Sequence, residues 1–163
     1  MALRNEKENV KVQKKIILDI TPQTYVRATQ NDRVFFRIPR DKLRPASLKR
    51  LERLEKYNNY KIALLALAKQ NRFMLPEQGA EIVFYIPVSP SWKKHKKESM
   101  HMKLHRNKPD LSNMLKAFED GLMAEDKGIA HYAGLAKIWV NEPVGRIEIT
   151  ITSPTLSSQD VLL

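Results

Sequence analysis

The stretch from Ala46 to Arg72 constrains the fold more than any other part of the chain, because it contains neither glycine nor proline. It is rich in Leu, Ala, Lys, Arg and Glu, which are residues with high helix propensity. We therefore predict one long helix, with Pro45 in its first turn and Asn58-Asn59 as candidates for an interruption. A helix buries its apolar stripe against another element, so the rest of the chain must supply a second layer.

Short apolar runs on both sides of this helix predict strands that would form the second layer. The predicted strands are Lys14–Ile20, Val34–Ile38, Glu81–Ile86, Leu135–Val140 and Arg146–Thr152. The third strand follows a predicted turn at Gln78-Gly79 and is apolar on both faces, so we expect it to be central.

This order of elements predicts an α+β fold in which a mixed or antiparallel sheet packs against the long helix and a second, short helix. We expect a single domain over residues 1–163, with loose tails at 1–12 and 153–163.

Composition favours some classes of protein and excludes others. The chain carries 29 Lys+Arg against 18 Asp+Glu, a net charge of +11, which favours a polyanionic partner such as a nucleic acid. It has no cysteine, which excludes disulfides and cysteine-ligated zinc. We find neither an apolar run of roughly 20 residues nor a hydrophobic signal region. We therefore expect a soluble, cytoplasmic protein with no membrane partner.

Residues 89–109 form the basic segment. Between Ser91 and Lys108, seven basic residues are opposed only by Glu98, which leaves seven minus one, or +6. The segment shows no apolar periodicity, so we predict an exposed, mobile loop. It is either a phosphate-binding surface or merely a solvated loop. Its candidate DNA-binding residues are Lys93, Lys94, Lys96, Lys97, Lys103, Arg106 and Lys108.

Directly after the basic segment, residues Leu111 to Leu122 have the apolar period of a short helix. Asn113, Lys116 and Asp120 fall at helical spacing and share one face of it. Asp110 precedes the helix, and Glu125-Asp126 follow it. Carboxylates at both ends, with a lysine between, are the groups needed to hold Mg²⁺ and to stabilise charge on a phosphodiester. Each group also has an ordinary structural explanation: a helix cap for Asp110, a surface ion pair for Lys116 and Asp120, and a turn for Glu125-Asp126.

The motifs from Ser91-Trp-Lys-Lys-His-Lys-Lys to Lys108-Pro-Asp-Leu-Ser-Asn-Met-Leu-Lys-Ala-Phe-Glu-Asp-Gly-Leu122 resemble the signature of the RusA family of Holliday-junction resolvases. That family has a Ser-Trp and lysine-rich loop, a histidine, Lys-Pro-Asp-x-Asp-Asn-x-x-Lys-x-x-x-Asp-x-Leu, and then a pair of acids, here Glu125-Asp126. The resemblance is specific over roughly residues 85–152. An early Pro22…Arg27 resembles the family's basic N-terminal motif, which adds Arg27 to the DNA-binding candidates.

The resemblance implies an RusA-like homodimer that cuts four-way DNA junctions by paired symmetric nicks in recombination and repair, near the nucleoid. It implies Mg²⁺ as the cofactor, with Mn²⁺ as a substitute. Asp110 and Asp126 correspond to metal-binding and catalytic aspartates, and Lys116 to the catalytic lysine. Asn113 and Asp120 correspond to supporting positions.

One position departs from the family pattern, because Ser112 stands where the family has a second metal-binding aspartate. A serine hydroxyl is a weaker ligand for Mg²⁺ than a carboxylate, so metal affinity should fall. Asp120 and Glu125 are further candidate ligands, and with Glu119 they are candidates to compensate. Two alternatives to a resolvase remain: a RusA-like protein that binds branched DNA with weakened or no cleavage, and a basic RNA-binding protein.

Three aromatic residues are ambiguous. Trp92 either stacks on a base or fixes the basic segment to the core, and the second is favoured. His105 either contacts phosphate or has no special role. His131 is expected at the surface or in packing rather than at a metal.

Overall fold

The computed structural model describes residues 12–123 and 128–153. A four-stranded sheet comprises β1 (Val12–Leu18), β2 (Gln78–Pro87), β3 (His131–Val140) and β4 (Arg146–Ser153). The helices are α1 (Asp32–Phe35), α2 (Pro45–Gln70), α3 (Lys94–Met100) and α4 (Leu111–Leu122), with a short 3-10 turn at Arg40–Lys42. The predicted α+β class is confirmed.

The sheet is mixed, with strand order β1-β4-β2-β3. β4 is antiparallel to both β1 and β2, whereas β3 is parallel to β2. β2 is therefore an inner strand, as its apolar sequence predicts. The connection from β2 to β3 carries the basic segment and α4.

One face of the sheet packs against α2 and α4 to form the core. Ile82, Phe84, Ile147 and Ile149 of the sheet are fully buried together with Leu64 of α2 and Phe118 of α4. Gly121 lets the two helices approach closely, since a Cβ at this position would lie 2.7 Å from the Leu64 side chain. This contact fixes the position of α4, which carries the candidate catalytic residues.

The predicted strand Val34–Ile38 is wrong, because the chain forms α1 there. Asp32 is buried and accepts hydrogen bonds from the Thr29 backbone and hydroxyl at 2.7 and 3.0 Å, and it pairs with Arg50 of α2 at 2.9 Å. These contacts turn the chain, and Val34 and Phe36 remain about half exposed rather than paired in a sheet.

Two smaller expectations also differ from the structure. α2 runs without a break through Asn58-Asn59, whose side chains are exposed and so do not disturb its packed face. Gln78-Gly79 begins β2 rather than forming a separate turn, although Gly79 has a φ of 81° and the register with β3 shifts at this point. In the residues described, no helix combines the length and apolar character needed to span a bilayer.

Candidate active site

Asp110 stands immediately before α4, and its side chain is not used as a helix cap. Its backbone carbonyl accepts the first helical hydrogen bond, from Met114 at 3.2 Å, but its exposed carboxylate makes no capping bond. Ser112 and Asn113, in the first turn, are also exposed. The first turn therefore presents a carboxylate, a hydroxyl and an amide to an external ligand.

Further along α4, Lys116 lies near Asp120 and Tyr25. Its Nζ is 3.8 Å from Asp120 Oδ1 and 4.9 Å from the centre of the Tyr25 ring. The Tyr57 hydroxyl donates to the other Asp120 oxygen at 3.0 Å, and the two tyrosine rings meet edge to face at 6.0 Å. We call Tyr25, Tyr57, Lys116 and Asp120 the lysine cluster. It is more than a solvated pair, because both tyrosines hold its members in place.

The electrostatics of the lysine cluster keep Tyr57 as a donor. Burial, followed by the negative charge of Asp120, raises the pKa of Tyr57 far above its ordinary value. The protonated hydroxyl therefore occupies one oxygen of Asp120 and leaves the other facing Lys116. The sequence did not point to either tyrosine, because both are far from α4 along the chain. Tyr25 is 88 residues before Asn113, and Tyr57 is 59 residues before Lys116.

Backbone contacts bring the segment after β1 to the same place. The Tyr25 N–H donates to the Asn113 carbonyl of α4 at 3.0 Å. Arg27 follows two residues later, within about 7 Å along the chain, and its side chain is exposed. Arg50 of α2 donates to the Arg27 carbonyl and fixes the path of this segment. Arg27 thus lies near the lysine cluster, and its role in DNA binding stays a prediction.

Two other acidic side chains of α4 are each engaged by a tyrosine. Glu119 accepts a hydrogen bond from the Tyr132 hydroxyl at 2.6 Å, and Asp120 belongs to the lysine cluster. Burial, followed by the hydrogen bond to Glu119, raises the pKa of Tyr132, so it remains a donor. With a rise of 1.5 Å per residue, Glu119 and Asp120 lie about 10 Å or more beyond Ser112 along the helix. Their positions do not favour compensation for Ser112.

The basic segment is not the wholly mobile loop that its charge predicts. Lys94–Met100 forms α3, and residues 102–105 pair with the outer edge of β3. In that pairing Met102 N–H donates to the Trp139 carbonyl at 2.8 Å, and Trp139 N–H donates to the Lys103 carbonyl at 2.9 Å. The basic side chains of the segment therefore project from an ordered backbone.

Aromatic stacking explains why the basic segment is ordered. His105 stacks on Trp139 with ring centres 3.7 Å apart, and Trp92 meets the same indole at 5.2 Å. Trp92 therefore ties the segment to β3, as favoured above. His105 is 3% exposed, so neither a phosphate contact nor an idle loop position describes it. Burial lowers its pKa, and the nearby Lys137 lowers it further. His131 is exposed, in line with its prediction.

Lys137 of β3 joins the end of the basic segment to the start of α4. Its Nζ donates to the carbonyls of Asn107 and Pro109, the latter immediately before Asp110.

The other basic side chains of the basic segment are distributed along its length. Three of them are exposed near its end: Lys103, Arg106 and Lys108. In α3, Lys94 pairs loosely with Glu98 at 3.9 Å, and Lys96 lies 4.1 Å from the Trp92 ring centre. Lys97 of α3 and Lys93, which precedes it, complete the basic set. Basic side chains thus flank α4 from the basic segment and from Arg27.

The predicted metal ligands are only partly placed. Asp126 and Glu125 lie outside the described residues. Among the residues that are described, no group of three or more His, Asp or Glu side chains could hold a metal ion. Asp120 is about 15 Å from Asp110 along α4, too far to share one ion with it. The described residues nevertheless offer hard oxygen donors, and Mg²⁺ requires only one or two carboxylates besides water and substrate phosphate. Asp110 with Asp126 therefore remains the predicted set.

The chain matches the model of a known family. The family model described as Endodeoxyribonuclease RusA matches residues 38–152, which include α2, the basic segment, α4 and most of the sheet. No curated protein matches the chain.

Proposed function

The chain belongs to the RusA family of endodeoxyribonucleases, and from this premise we propose that it is a Mg²⁺-dependent resolvase of Holliday junctions. RusA-type enzymes act on branched DNA and generally depend on a divalent metal. We further propose that a homodimer makes two symmetric nicks, because a four-way junction has two-fold symmetry and two related active sites match it.

The observation that carries this proposal is the contrast along α4. The Asp110 carboxylate is exposed and does not cap its helix, whereas Lys116 is held by Asp120 and Tyr25. The basic segment ends immediately before Asp110, and the exposed Arg27 follows Tyr25 of the lysine cluster by two residues. A phosphodiester backbone bound by these cations would pass over α4.

Each group then has a chemical task. Asp110 and Asp126 would hold the metal, which when bound polarises the scissile phosphodiester. The Lys116 ammonium stabilises negative charge that develops on the phosphate oxygens. Asp120 orients Lys116, and Tyr57 orients Asp120. Asn113 has an exposed amide that can donate to a phosphate oxygen.

The test is cleavage of a labelled four-way junction in Mg²⁺ and in Mn²⁺ by the native chain and its Asp110→Asn, Asp126→Asn and Lys116→Ala variants. We expect paired symmetric nicks from the native chain and strongly reduced cleavage, with junction binding retained, from all three variants. Cleavage that survives Asp110→Asn and Asp126→Asn would reject this metal site. Sedimentation of the protein with and without junction tests the homodimer.

A second function deserves a test because Ser112 replaces a family aspartate and the described residues hold no three-ligand cluster. The chain would then bind branched DNA with weak or no cleavage. Tight junction binding without nicks, and cleavage gained by Ser112→Asp, would establish it. Preference for RNA over four-way DNA in competition would instead favour the RNA-binding alternative.

A further inference from the structure

A cavity of about 440 Å³ opens at the outer edge of β3, beside the basic segment. We call it the edge pocket. Its volume lies within the range of small-ligand sites. Six residues line it: Met100, Lys103, Leu104, Arg106, Asn107 and Trp139.

The lining of the edge pocket combines apolar walls with positive charge. Leu104 is 59% exposed although it is large and apolar, and Trp139 is the most buried of the six. Lys103 and Arg106 are the charged members, and none of the six is acidic. The Asn107 amide supplies both a donor and an acceptor, the pairing that reads a base edge. An anionic ligand with a flat, mostly apolar body and a polar edge fits this combination, and a nucleotide is such a ligand.

The edge pocket is framed by regular structure rather than by free loops. Residues 102–105 pair with β3, and the stacked rings of His105 and Trp139 lie behind them. The His105 N–H also donates to the Lys137 carbonyl at 2.9 Å. A site that already has its shape loses less entropy when it binds a ligand.

The edge pocket is also close to the candidate catalytic carboxylate. Asn107 precedes Asp110 by three residues, so their Cα atoms are within about 10–11 Å. Lys137 fixes this stretch through the Asn107 and Pro109 carbonyls. A nucleotide in the pocket would therefore lie next to the phosphate above Asp110. Bases at a branch point have incomplete stacking, so displacing one of them requires less free energy than in a duplex.

Resting on the resolvase function proposed above, we propose that the edge pocket takes one unstacked nucleotide of the junction, beside the phosphate that is cut. Lys103 and Arg106 bind its phosphate, Leu104 packs on its base, and Asn107 hydrogen-bonds to the base edge. The pocket thereby determines the base preference of cleavage.

The experiment uses four-way junctions with a single 2-aminopurine at the branch point, bound to the full-length protein in EDTA so that cutting does not intervene. Native protein should increase 2-aminopurine emission as the base leaves the stack. Leu104→Ala and Asn107→Ala should abolish the increase. In Mg²⁺ they should reduce the ratio of cleavage at preferred over other sequences by about tenfold.

Met102→Ala is the matched control, because Met102 is 52% exposed on the same edge segment but does not line the cavity. It should retain the emission increase and the base preference. The proposal is overturned if the native protein binds the junction without an emission increase, or if the Leu104 and Asn107 variants behave like Met102→Ala. It is also overturned if those variants lose dimerisation, which would assign the cavity to a subunit contact.

Failure of the edge pocket is distinguishable from failure of the resolvase function. Binding and cutting without an emission increase reject only the pocket. An emission increase without cutting supports the pocket and favours a DNA-binding protein over an active resolvase.

Discussion

The two aspartates at opposite ends of α4 have contrasting surroundings. Asp120 accepts a hydrogen bond from Tyr57 and pairs with Lys116, so other protein groups already satisfy its charge. Asp110 is exposed and does not even cap the helix that it precedes. A carboxylate that is bonded to other protein groups supports or positions them, whereas an exposed carboxylate is suited to an external ligand. The contrast supports the proposal that Asp110 serves the metal and substrate, and that Asp120 orients Lys116.

The largest expected effect is that of Asp110→Asn. We expect cleavage of a four-way junction to fall by about 100- to 1,000-fold, because a charged group acting on the reacting phosphate is lost. The free energy of unfolding should change by less than about 0.5 kcal/mol, since the side chain is exposed. Single-turnover cleavage and urea unfolding measure the two quantities. A large loss of stability would contradict the contrast.

Ser112→Asp should increase cleavage in Mg²⁺ by about tenfold, because it adds a carboxylate in the turn that carries Asp110. Ser112→Asn is the matched control, being of similar size but neutral, and should not increase the rate. The dependence of rate on Mg²⁺ concentration is the measurement. Equal rates for the two variants would mean that the first turn of α4 does not bind the metal.

Asp120→Asn should reduce cleavage by about tenfold and also lower the free energy of unfolding by about 1–2 kcal/mol. Both effects follow from the loss of charge beside Lys116 and Tyr57. The variant thus differs from Asp110→Asn in having a stability defect with the smaller activity defect. If Asp120→Asn were as inactive as Asp110→Asn and fully stable, the two carboxylates would share one role.

Tyr57→Phe should have a smaller effect, with a loss of about 1 kcal/mol in stability and a severalfold decrease in cleavage. Tyr132→Phe is its matched control, because it removes the hydrogen bond to the neighbouring Glu119, which is not a member of the lysine cluster. Similar stability losses with different cleavage rates are expected from the pair. Equal rates would show that Asp120 does not need its tyrosine.

The smallest expected effect concerns the segment that leads to Asp110. The pKa of His105 is lowered from its ordinary value of 6.5 by burial, so the folded protein favours the neutral ring. This stabilisation is present above pH 6.5, decreases as the pH falls through 6.5, and levels off below the folded-state pKa. Urea unfolding between about pH 8 and pH 5 should show a decrease that is weaker in His105→Gln. Identical pH profiles for the native chain and His105→Gln would contradict this role of the neutral His105 ring.

Local sequence patterns predicted the regular elements well. The α4 bounds, Leu111–Leu122, are those of the apolar period, and Ile147 and Ile149 point inward as their alternation requires. The match of the family model confirms the recognised family and extends it upstream to Ile38. These features depend on neighbouring residues, which a single sequence displays directly.

Long-range contacts explain the expectations that failed. Val34–Ile38 has the composition of a strand, but the pairing of Asp32 with Arg50 of α2 makes the chain turn. The basic segment is ordered by Trp139, which is 34 residues after His105 and belongs to another element. Tyr25 and Tyr57 join Lys116 and Asp120 only in the folded chain. In each case the contact joins residues that are far apart in sequence, so no helical or strand periodicity predicts it.

The contact between the Trp92 and Trp139 rings has an optical consequence. These are the only two tryptophans in the chain, and their ring centres are 5.2 Å apart beside the basic segment. Indoles this close couple electronically, so the tryptophan bands of the near-ultraviolet circular dichroism and the tryptophan emission report on a single locus. The tryptophan signal of the unmodified chain therefore reports whether the basic segment is docked on β3.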